Sequence, residues 1–198
     1  MYRETIRKWA RILRLKKIFY SLLLILVVLY PNLYLAGKQA VTQVRGIDSL
    51  IDPEDPYVID LAEEALASEK VQSGELTIEE YIYSVIHFKR DIDLYLNMDY
   101  WASPAETIQR RAGDCEDYAI VVKSVEEYLG LGEDSKIVIQ PRHVYIEREG
   151  IIYGGKSSID SYFDAVIDFI KNIPLIRQVL ILFGLIWIWG RKPKWKNS

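Results

Sequence analysis

Two long apolar stretches, one toward each end of the chain, limit what this sequence can fold into. Residues 18–37 carry no charge over 20 positions. As a helix at 1.5 Å per residue, they would cover about 30 Å, the thickness of a bilayer's hydrocarbon core. Pro31 and Asn32 fall inside the run and predict a kink near its far end. Residues 173–190 carry a single charge, Arg177, near one end, where its stem can snorkel to an interface. Trp187 and Trp189 stand near the other end, where aromatic belts form. A cleaved signal peptide fits the first stretch less well, because the run is long for one and no small-x-small cleavage site follows at once. A buried C-terminal helix fits the second less well than a membrane span.

Charge sorts with these stretches. Residues 1–17 hold seven Lys/Arg against one Glu, and residues 191–198 hold four Lys/Arg and no acid. Residues 39–171 hold 12 Lys/Arg and 27 Asp/Glu. The net charge of −3 is the sum of unlike parts. So acidic a middle repels phosphate and argues against nucleic acid as a partner. The basic flanks suit the cytoplasmic face of a membrane. The expected organisation is a basic cytoplasmic N-terminus (1–17), a transmembrane helix (18–37), an external domain (38–172), a second transmembrane helix (173–190) and a basic cytoplasmic tail (191–198). Two short apolar helices with one edge arginine offer no polar path for transport.

The external segment reads as helices followed by strands, an α+β pattern. Helical spacing runs over 57–70. Thr77 and Glu80 form a capping box ahead of a predicted helix over about 78–96. Ser103 and Pro104 start another, and Asp114 is placed to cap a third that ends near Gly130. Residues 136–140, 143–148 and 151–153 read as strands, with Glu149-Gly150 turning between the last two.

One cysteine excludes an intrachain disulfide and a multi-cysteine metal site. That cysteine, Cys115, falls in Gly113-Asp-Cys-Glu-Asp117, in the first turn of a predicted helix. Free amides and the positive dipole end favour a thiolate there, and the same amides would hold an oxyanion. Gly113 would let a substrate backbone approach closely. Asp114, Glu116 and Asp117 oppose ionisation of the sulfur, so a nearby imidazolium must do much of the activation. His143, at the start of a strand, is the candidate base; His87, mid-helix, reads as structural. Asp160 follows His143 by 17 residues, where a hairpin can return it to fix the imidazole tautomer. Trp101 reads as a core anchor with a possible place over the site.

The run Tyr100-Trp-Ala-Ser-Pro-Ala-Glu-Thr107, then Arg111-Ala-Gly-Asp-Cys-Glu-Asp-Tyr-Ala119, resembles the transglutaminase-like superfamily. The nearest resemblance is to its archaeal and bacterial cysteine-proteinase branch, and it covers about residues 57–165. It implies a papain-like α+β core with Cys115 as nucleophile, His143 as base and Asp160 as orienting acid. It implies a cysteine protease or isopeptidase working through an acyl-thioester on protein or peptide substrates at the cell envelope. A cross-linking transglutaminase and a non-catalytic binding module of the same fold are the alternatives. In that branch acids around the cysteine help to hold Ca²⁺, which makes Asp114, Glu116 and Asp117 calcium candidates. Helix capping and dipole complement are the preferred roles for these acids, and no cofactor is expected.

Overall fold

The computed structural model describes residues 2–154 and 161–191, and its architecture is α+β. Helix α1 (Tyr2–Leu29) stops where Pro31 removes a backbone donor. Asn32 then caps α2 (Leu33–Arg45) by accepting the Leu35 amide at 3.2 Å. The chain turns by 97° across this break. The predicted span 18–37 is therefore not one helix: its last five residues belong to α2. Among the described residues no single helix is long and apolar enough to cross a membrane, although two bent helix pairs pass that test jointly.

From α2 the chain enters the acidic domain. Asp55 caps α3 (Pro56–Ala67), with Pro56 at the first helical position. The short α4 (Glu69–Gln72) leads to α5 (Ile78–Val85), which opens on the Thr77–Glu80 capping box. The expected helix over 78–96 ends early. Residues 87–88 are extended instead, as strand β1 (His87–Phe88), followed by the single turn α6 (Asp91–Leu94). Ser103 and Glu106 form the capping box of α7 (Pro104–Arg110). Strand β2 (Ala112–Gly113) runs parallel to β1, with His87 opposite Ala112. This tertiary pairing overrides the local helical preference of 86–90. His87 is thus an exposed strand residue rather than a mid-helix one, and its amide donates to the Arg111 carbonyl at 2.9 Å.

Helix α8 (Cys115–Tyr128) is the centre of the core. Residues Ile120, Val121, Val122 and Val125 are fully buried among Val58 and Leu61 of α3, Ile82 of α5, and Ile146 of the sheet. Their removal from water is the main drive to this packing. The antiparallel sheet has the order β3 (Ser135–Gln140), β4 (His143–Arg148), β5 (Ile151–Tyr153). Gln140 pairs with His143, so Pro141-Arg142 is a two-residue turn, with Arg142 at φ +62°. Glu149 and Gly150 both take positive φ, as the predicted tight turn requires.

Ser161 caps α9 (Tyr162–Asn172), and after a 95° turn at Pro174 the chain enters α10 (Leu175–Gly190). Helices α1 and α10 pack antiparallel. Lys17 Nζ donates to the carbonyls of Trp189 (3.0 Å) and Arg191 (3.1 Å), and Trp189 Nε1 donates to Ser21 Oγ at 3.1 Å. At the other end Arg177 donates to the Leu29 carbonyl at 3.1 Å and the Leu96 carbonyl at 2.7 Å. A Cβ at Gly184 would lie 2.3 Å from Leu24 Cδ2, so the small residue permits this close approach.

Candidate active site

Cys115 occupies the first turn of α8, and His143 opens β4, which lies against that helix. Both residues line a cleft of about 410 Å³, and both also line a smaller cavity of about 150 Å³ beside it. The structure thus brings the two sequence-predicted residues to one place. The Val144 amide, next to His143 along β4, reaches the Cys115 sulfur and favours its ionised form. His143 Nε2 lies 3.0 Å from the Gly154 carbonyl oxygen. That oxygen can only accept, so the contact is made by an Nε2–H donor. Asp160, the third expected member, lies outside the described residues.

Around the sulfur the charge is adverse. The Cys115 thiol donates to Glu116 Oε2 at 2.9 Å. Burial, and then the charge of Glu116, pushes the thiol pKa up from its ordinary value. The resting sulfur is therefore a protonated thiol.

Five carboxylates crowd behind it. Asp91, Asp99 and Glu116 place oxygens within 4.8 Å of one another, as do Asp91, Asp114 and Asp117. Burial and then the charges of Asp117 and Glu116 push Asp91 up to about 9. Burial and then Asp91 and Asp117 push Asp114 up to about 8. Glu116 and Asp117 also stand well above the usual carboxylate range, through burial first and through Asp114 and Glu116 respectively. Some of these oxygens have roles: Asp91 accepts the Tyr100 amide, Asp117 accepts the Ala102 amide at 2.7 Å, and Asp99 accepts from Gln39 Nε2 at 3.2 Å. Others have none. Asp91 Oδ1, Asp114 Oδ1 and Asp117 Oδ2 are buried and make no hydrogen bond. Asp91, Asp114 and Asp117, which each have one such oxygen and place carboxylate oxygens within 4.8 Å of one another, offer donors of the kind a hard divalent cation takes.

Two expectations about this segment change. Asp114 stands at the cap position of α8 but makes no side-chain capping bond, because its carboxylate joins the acidic cluster. Gly113 is buried, and a Cβ there would lie 2.7 Å from Asp117 Cβ. Its lack of a side chain makes room for Asp117. Trp101 both packs on the core and lines the cleft, which reconciles its two proposed positions. The sequence reading missed Asp91, Asp99 and the Gly154 carbonyl. It also missed Tyr30, Arg142 and Phe169, which line the cleft from the α1–α2 junction, the β3–β4 turn and α9. Asp91 and Asp99 stand 24 and 16 positions before Cys115 in an acid-rich segment, where no spacing singles them out. No family model, curated protein or solved structure matches this chain.

Proposed function

We propose that this protein is a membrane-anchored thiol hydrolase with a transglutaminase-like core, a cysteine protease or isopeptidase acting on amide bonds at the cell envelope. The observation that carries the reading is the shared cleft: a cysteine at a helix start and a histidine at the start of the strand packed on that helix.

In this reading the Cys115 thiol gives its proton to the His143 imidazole as the sulfur attacks the amide carbonyl carbon. The carbonyl becomes an oxyanion, stabilised by amides at the start of α8. As the C–N bond breaks, the imidazolium returns its proton to the leaving amine, and a thioester remains on Cys115. Water then attacks the thioester, His143 takes a proton from the water, and the sulfur leaves and is reprotonated. The product is a carboxylic acid. The Gly154 carbonyl holds the imidazole in the working tautomer, and Asp160 is proposed to add to this hold.

Residues Asp91, Asp99, Asp114, Glu116 and Asp117 would hold a divalent cation, with Ca²⁺ the best match to an all-oxygen set. Bound there, the ion supplies positive charge that offsets the carboxylates opposing ionisation of Cys115. The helix pair α1/α10 is proposed to be the membrane hairpin, with both basic ends on the cytoplasmic side and the domain outside. The pairing of Lys17 with the end of α10 supports this, since it gathers the basic residues at the end away from the domain.

Labelling with iodoacetamide tests the reading. With Ca²⁺ present, full-length protein should react at Cys115 faster than a free thiol at pH 7, and His143→Ala should slow this at least tenfold. Ordinary thiol rates in both proteins would favour a non-catalytic binding module.

A further inference from the structure

The cleft draws part of its wall from outside the catalytic segment. Tyr30 lies one residue beyond α1, while Phe169 and Asn172 come from the last turn of α9. These are the points where the chain leaves the α1/α10 pair. The two breaks, of 97° and 95°, lie at the same end of that pair, because Arg177 at the start of α10 bonds to the carbonyl of Leu29 at the end of α1. Helices α2 and α9 therefore run across the axis of the pair.

Each crossing helix carries an exposed apolar stripe. On α2 it comprises Leu33, Tyr34, Val41 and Val44. The opposite face, with Gln39 and Thr42 buried and Lys38 bonded to Tyr100, meets the domain. On α9 the stripe comprises Tyr162, Phe163, Val166 and Ile170, while Ala165 and Asp168 turn to the domain, Asp168 pairing with Arg142 at 3.1 Å. The α1/α10 pair is apolar on its outside as well, where Leu22, Leu26, Leu180, Phe183 and Ile186 are exposed. Apolar exposure on the pair and on both helices that cross its end matches a lipid surface, with the crossing helices lying in the plane of the interface.

We infer that the cleft opens at the lipid–water boundary, and that its substrates are membrane-anchored polypeptides cut in the segment that emerges from the bilayer. The inference rests on the membrane-hairpin reading and names the substrate class of the proposed hydrolase. A soluble chain would have no advantage at such a cleft. A tethered one would be delivered at high local concentration, with its first extended residues beside Tyr30 and Phe169.

A tethered electrophile measures this. Full-length protein is reconstituted in phosphatidylcholine vesicles, and chloroacetamide is attached to the headgroup of phosphatidylethanolamine through a spacer of roughly 10 Å or roughly 60 Å. Effective concentration rises as a tether shortens, provided that it still spans the distance. The short tether should therefore label Cys115 severalfold faster than the long one. Labelling by the long tether alone would place the sulfur away from the lipid and overturn the inference while leaving the hairpin intact. Failure of the protein to float with vesicles would overturn both. The double variant Phe163→Asp/Val166→Asp should cut short-tether labelling about tenfold and leave labelling by soluble chloroacetamide unchanged; an unaltered short-tether rate would remove α9 from the interface. None of these readings requires Cys115 to be catalytic.

Discussion

Arg148 stands between two buried acids. It is bonded to Glu79 and lies 3.0 Å from Glu126, and both carboxylates are about 1 % exposed. Removing the cation of such a group leaves uncompensated buried charge, which typically costs about 3–5 kcal/mol. Arg148→Met should lower the urea midpoint accordingly, without altering the cleft. Glu126 adds a pH signature. Burial holds its folded pKa up at about 7, above the ordinary 4.5. The folded state thus retains a proton between pH 4.5 and 7 that the unfolded state releases, so this residue's contribution to stability falls as pH rises through that window. Glu126→Gln should flatten the corresponding part of a stability–pH curve; an unchanged curve would assign the slope to other acids. Gly113→Ala should cost about 1–3 kcal/mol by displacing Asp117, again read from urea unfolding.

Several elements were legible because their signals are local. The boxes at Thr77–Glu80 and Ser103–Glu106 start α5 and α7 where a side chain can satisfy orphan amides three residues on. The Glu149-Gly150 turn likewise followed from the positive φ that its hairpin demands. Strand β1 was hidden because residues 87–88 become extended only through pairing with β2, some 25 positions away. Cys115 and His143 stood out as rare residue types, whereas Asp91 and Asp99 were lost among many acids. At the apolar ends composition showed an apolar run but not its direction: Pro31 splits it into two helices at 97°. The proposed membrane hairpin would therefore be short. From Lys17 to Leu29 is twelve helical steps, about 18 Å, well under the roughly 30 Å of an average hydrocarbon core. If the pair spans a bilayer as proposed, so short a span would be accommodated by thinning of the bilayer or by snorkelling of flanking residues. Resistance to alkaline extraction should therefore be greater from dimyristoyl than from dierucoyl phosphatidylcholine vesicles. Equal extraction from both would argue against a spanning hairpin.

At the scale of the whole molecule, the acidic cluster joins parts of the chain that are distant in sequence. Asp91 follows β1, Asp99 is tied to α2 through Gln39, and Asp114, Glu116 and Asp117 begin α8. Gln39 also accepts the Trp101 amide at 2.8 Å, so α2, and through it the base of the helix pair, is bonded to the segment that walls the cleft. Without a cation these carboxyls hold protons well above their ordinary range, and buried oxygens of Asp91, Asp114 and Asp117 lack partners. A cation that binds the folded state alone would stabilise it by about 2.7 kcal/mol at a hundredfold excess over its dissociation constant. Millimolar Ca²⁺ should therefore raise the Tm of the full-length protein and lower the apparent pKa of Cys115 in iodoacetamide labelling. Asp99→Asn should diminish both effects together, because one ion would serve the fold and the thiol. A Ca²⁺-independent Tm with an unshifted thiol would leave the five carboxyls as a largely protonated junction, and the activation of Cys115 would then fall to His143.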